Sequence, residues 1–98
     1  LEGAKVETKK LEKALKSIGK KSFVEDYEIY SNQDLSLTRK IEILSKKYSR
    51  NGATIRVSFA EMIFQYCQQQ EALEIIINSP RVTSDIKTQA RRILMGEI

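Results

Sequence analysis

The chain contains one thiol, Cys67, and no histidine to activate it. Imidazole is the commonest general base and the commonest metal ligand, so neither a Ser-His-Asp nor a Cys-His arrangement can be built. The carboxylates are scattered, and none has the spacing of a calcium loop. The glycines Gly3, Gly19, Gly52 and Gly96 stand singly, which leaves no glycine-rich cradle for phosphate. This inventory predicts a chain that is not an enzyme and that takes no cofactor and no metal. Cys67 falls in Phe64-Gln65-Tyr66-Cys67, inside an expected helix, and there a buried, inert thiol is the default. With no second cysteine it forms no internal disulfide, which is compatible with a reducing, intracellular compartment, whether cytoplasm or nucleoid or nucleus.

What remains is the chemistry of cations. The net charge of +4 is unevenly spread. Residues 1–22 carry seven lysines against three glutamates, and residues 23–34 carry four acids and no base. Residues 35–58 then carry six bases against Glu42 alone. Within that third block Arg39, Lys46 and Arg50 lie opposite an apolar stripe at helical spacing, with Lys40 and Lys47 beside them. Such a strip suits phosphate, because each cation placed near a phosphate releases condensed counterions. A solvated face on a basic protein would look the same. Lys9, Lys13, Lys16 and Lys20 form a second row, with Glu7 and Glu12 interleaved, and read as a solvated face.

Helices must position these groups, since no period-2 alternation of useful length occurs. A chain of 98 residues, 41% of them apolar, fits one domain spanning 1–98 with an ordinary core. Its start at Leu1 suggests a piece of a longer protein. No stretch approaches the ~20 apolar residues of a membrane span. The pattern predicts an all-α fold, a compact bundle of five or six short helices. The first runs from about Lys5 to Ile18, with Leu11, Ala14, Leu15 and Ile18 as its stripe. The second runs from Ser22, which makes a capping-box pattern with Glu25, to about Ser31. The third begins after Asp34 or Ser36 and carries Leu37, Ile41, Leu44 and Tyr48 to a stop at Asn51-Gly52. The fourth, Ala53 to about Gln69, has its strongest stripe at Ile55, Phe59, Met62, Ile63 and Tyr66, with Val57, Ala60 and Phe64 on the far side, and is expected to be the central, most buried helix. Glu71–Asn78 and Ser84–Met95 complete the set, the former either separate or continuous with the fourth.

Residues 44–63, from Leu44-Ser45-Lys46-Lys47-Tyr48 through Ala53-Thr54-Ile55-Arg56-Val57-Ser58 to Ile63, resemble the helix-turn-helix of bacterial DNA-binding domains. In that family the second helix enters the major groove by its N-terminal residues and the first crosses the backbone. The resemblance implies that Thr54, Arg56 and Ser58 sit near base edges while Lys46, Lys47 and Arg50 meet phosphate. It departs from the pattern in a longer turn, and in a second helix whose polar face (Thr54, Ser58, Glu61, Gln65) holds no Arg or Lys. Arg56 has a structural alternative, an ion pair with Glu25, Asp26 or Glu28. The leading expectation is therefore a nucleic-acid-binding module, with duplex DNA as the partner and Arg39, Lys40, Lys46, Lys47 and Arg50 supplying most of the affinity. The other is a helical protein-interaction module, in which Ile43 or Phe64, if exposed, would mark the contact patch.

Overall fold

The computed structural model describes residues 7–96, and among these the chain forms seven helices and no strand. They are α1 (Thr8–Ile18), α2 (Lys20–Glu25), α3 (Tyr27–Ser31), α4 (Leu37–Leu44), α5 (Arg50–Gln65), α6 (Gln69–Ile77) and α7 (Ser84–Leu94). The all-α class stands, but the expected count of five or six is one or two short. The second expected helix is two, because the backbone leaves helical geometry at Asp26. Ser22 is no N-cap. It lies within α2, and its hydroxyl shares a 2.8 Å hydrogen bond with the Tyr30 hydroxyl and donates to Asp26. The expected first turn from Lys5 lies outside the described residues.

α5 is the axis of the assembly. It packs chiefly on α1 and α4, and also on α3 and α6. α6 and α7 form a hairpin whose second helix rests on α2. The stripe of α1 is buried as expected, with Leu11, Ala14, Leu15 and Ile18 fully covered. Phe23 and Tyr30 are buried too, and the Phe23 ring stacks on Phe64 at 5.9 Å and meets Tyr27 edge-on at 5.6 Å. This aromatic knot joins α2 and α3 to α5 and gives Phe64 a core role, not a contact role.

The expected orientation of α5 is largely reversed. Its core face is Ala53, Val57, Ala60 and Ile63. Small side chains at three of these four positions allow neighbouring helices to approach closely, and close packing outweighs the gain from burying the larger stripe. Of that larger stripe Ile63 is fully buried, Phe59 and Met62 are partly buried and pack against the core, and only Ile55 and Tyr66 are exposed.

Helix boundaries follow local chemistry. Ser36 Oγ accepts from the Arg39 amide, and Ser49 Oγ accepts from the Gly52 amide. Each hydroxyl satisfies an amide left unpaired in a first helical turn. Ser49 therefore starts α5 at Arg50, and the connection from α4 is the five-residue turn Ser45–Ser49. α5 ends before Cys67, which adopts φ +56°. The Cys67 amide donates to Phe64 O and the Gln68 amide to Ile63 O, the Schellman pair. The thiol is exposed, contrary to the expected buried one, because the chain has already left the helix there. A left-handed backbone disfavours a residue with a Cβ. Cys67→Gly is accordingly expected to raise stability by about 0.5–1 kcal/mol, net of the entropy glycine adds to the unfolded chain, read as a higher midpoint in urea.

Candidate interaction surface

The eight residues singled out from the sequence do not form one surface. Arg39 is exposed on α4 and pairs with Glu42 one turn on, at 3.2 Å. Lys46 in the turn and Arg50 at the start of α5 are exposed, and neither side chain has a hydrogen-bond or ion-pair partner among the described residues. Thr54 and Ser58 are exposed on α5, with Thr54 Oγ1 donating back to Arg50 O. These five are open to solvent.

The other three are engaged by the fold, although Lys47 is itself exposed. Lys40 is only 4% exposed. Its ammonium donates to the Tyr30 carbonyl at 2.9 Å and reaches Glu61 at 3.4 Å. The Tyr30 carbonyl is among the last of α3, so Lys40 caps a helix end that would otherwise be unsatisfied. Lys47 is held by Asp26 at 3.2 Å and Glu25 at 3.4 Å. Partial desolvation pulls its pKa down, but the hydrogen bond and charge of Asp26, with help from Glu25, outweigh this and hold it above the ordinary lysine value. Arg56 makes none of the expected ion pairs. Its guanidinium lies 3.9 Å from the centroid of the Tyr48 ring, and Nη1 donates to Gly52 O. The Tyr48 hydroxyl donates to Asp26 at 3.4 Å, so the acid reaches Arg56 only through the ring.

The expected basic strip is thus taken apart by the acidic block at residues 23–34 and by Glu61. Its periodicity assumed one helix from residue 37 to residue 50. The chain instead breaks at Leu44, and Lys46 and Lys47 enter the turn.

Deeper in the same network, Tyr30 has its pKa pushed up to about 12, first by burial, with Ser22 and Arg56 partly opposing and Tyr48 and Asp26 adding. A phenol whose folded pKa exceeds the unfolded ~10 keeps the native state fully stable below pH 10. Above that the unfolded chain gives up the proton first, so stability falls between pH 10 and 12. The loss attributable to Tyr30 is about 2 kcal/mol. The slope of unfolding free energy against pH in that window should be shallower in Tyr30→Phe than in the parent.

The surface with a consistent chemical character is the outside of α5. Its outward residues are Asn51, Thr54, Ile55, Ser58, Phe59, Met62, Gln65 and Tyr66. None is charged. From Asn51 to Tyr66 the only charged residues are Arg56 and Glu61, one drawn onto Tyr48 and the other toward Lys40. Ile55 is 42% exposed and Tyr66 36%, while Phe59 and Met62 are half-buried between them. A helix exposed to water on one side normally carries its charges there. Sequence periodicity located this stripe but assigned it to the core. The half-buried Ile43 is not part of this patch.

An open groove of about 1010 Å³ lies elsewhere, between α1–α2 and the turn joining α6 to α7. Lys16, Lys20, Lys21 and Arg81 share its rim with Glu12, Glu71 and Glu74, so its charges are mixed. No group of three or more potential metal ligands occurs among the described residues, and no described helix is long and apolar enough to cross a membrane. Comparison with family models, curated proteins and solved structures finds no match to this chain.

Proposed function

We propose that the chain is a non-enzymatic helical interaction module that docks a partner helix on the outer face of α5. One observation carries this reading: the longest helix turns a largely uncharged face to solvent, bordered by Glu61 alone, in a chain where 31% of residues are charged. The centres of protein interfaces are depleted of charge and enriched in aromatic residues and methionine. Phe59, Met62 and Tyr66 fit that composition, and Asn51, Thr54, Ser58 and Gln65 supply uncharged polar contacts beside them. A labelled synthetic amphipathic helix, with a leucine seam at heptad spacing and no net charge, is the probe. The chain should raise its fluorescence anisotropy, and Phe59→Glu should remove that rise. Equal binding by Phe59→Glu and parent would overturn the reading.

The second reading is duplex DNA. It is favoured by Lys46 and Arg50, unpartnered where the turn enters α5, with Thr54 and Ser58 outward on the same helix. With Arg39 that makes three candidate cations, so the slope of log affinity against log salt is about −3 at most. An electrophoretic shift with random duplex at two salt concentrations tests it. Joint reversal of Arg39, Lys46 and Arg50 should abolish the shift while leaving the fold intact.

A further inference from the structure

We infer that the groove between α1–α2 and the α6–α7 turn is a second binding site. Its occupant is a peptide segment of another protein, acidic at one end, apolar in the middle and basic at the other. The site lies apart from the outer face of α5 and does not rest on that reading.

Unneutralised charge is the first argument. The lysine row of α1 does not remain one solvated face. Lys16, from the last turn of α1, and Lys20 and Lys21, the first residues of α2, line the groove, and Arg81 joins them from the α6–α7 turn. None of these four cations makes a hydrogen bond or an ion pair among the described residues, although Glu12, Glu71 and Glu74 line the same groove. The opposite signs stand too far apart to pair, and a segment laid between them would meet both. Lys20 is also half-buried, and a cation partly removed from water gains most from an incoming partner.

The order of the charges is the second argument. The cations gather where α1 meets α2 and at Arg81. The acids come from the middle of α1 and the first half of α6. A nucleic-acid strand, negative along its whole length, would be drawn to the first set and repelled by the second. Nor does the start of α7 cradle a phosphate. Thr83 Oγ1 already accepts from the Ile86 amide, and Asp85 stands in the first turn. A peptide can place carboxylates against Lys16, Lys20, Lys21 and Arg81 and cations against Glu71 and Glu74. Ile75 and Val82, half-buried beneath these exposed charges, give its apolar middle a floor. At about 1010 Å³ the groove matches the largest small-molecule pockets, and it is open, which suits an extended segment.

The probe is a short labelled peptide with glutamates at one end, leucines in the middle and lysines at the other, titrated with the full 98-residue chain. Its fluorescence anisotropy should rise. The double variant Lys16→Glu, Arg81→Glu should weaken binding about tenfold or more. Both positions are exposed and unpartnered, so its midpoint in urea should match the parent's. The Phe59→Glu chain should bind this peptide as the parent does, which separates the groove from the α5 face. A peptide of the same composition with glutamate and lysine alternating should bind far more weakly. Equal binding of the alternating peptide would overturn the match to the order of charges. Equal binding by the double variant, or loss of binding in Phe59→Glu, would overturn the groove as the site. Displacement of the peptide by random duplex would overturn a peptide as its occupant in favour of nucleic acid.

Discussion

Lys40→Glu is expected to cost about 4 kcal/mol of stability, the upper part of what breaking a buried ion pair costs. The new carboxylate would stand against the Tyr30 carbonyl and beside Glu61, with no donor for any of the three. Lys40→Met is expected to cost about 2 kcal/mol. It keeps the packing volume and leaves one buried carbonyl unsatisfied, while Glu61, still half-open to water, remains hydrated. Urea unfolding followed by far-ultraviolet circular dichroism measures both. Lys46→Glu should lie within about 0.5 kcal/mol of the parent, because its side chain is exposed and unpartnered. The contrast bears directly on function. A charge reversal that includes Lys40 would lose nucleic-acid binding through loss of the fold, so only Arg39, Lys46 and Arg50 report on a phosphate surface.

The second large effect is on association. The double variant Ile55→Glu, Tyr66→Glu would place two carboxylates on the proposed docking face. Burying unpaired charge at an interface costs several kcal/mol, so capture of the synthetic helix should weaken by about 100-fold or more. Both positions are exposed in the single chain, and the unfolding free energy should change by less than about 1 kcal/mol. A variant that is folded but no longer captures the helix is the expected outcome. An unfolded one would show that the stripe belongs to the core.

Periodicity located the helices because each needs a buried stripe, and for α1 that stripe is the core. It misjudged α5 because that helix has two candidate stripes. One is built of large residues at 55, 59, 62 and 66, the other of small ones at 53, 57 and 60. Residue hydrophobicity favours the first, while close approach of α1 and α4 selects the second. The cations were legible as residues but not as a surface. Nothing local to Lys40 or Lys47 shows that Tyr30, Glu61, Asp26 and Glu25, 10 to 22 residues away in sequence, would fold against them. Arg56 was legible as a residue with a structural partner. That the partner is the Tyr48 ring, not an acid, depends on the turn geometry set by the Ser49 cap.

Salt distinguishes the two functional readings. Phosphate binding weakens as salt rises, whereas capture of an uncharged helix on a largely uncharged face changes little. The decisive measurement is the fluorescence anisotropy of the labelled synthetic helix titrated with the chain in low and in high salt. The account predicts a rise of similar midpoint in both buffers. No rise in either, or one lost as salt is added, would contradict it.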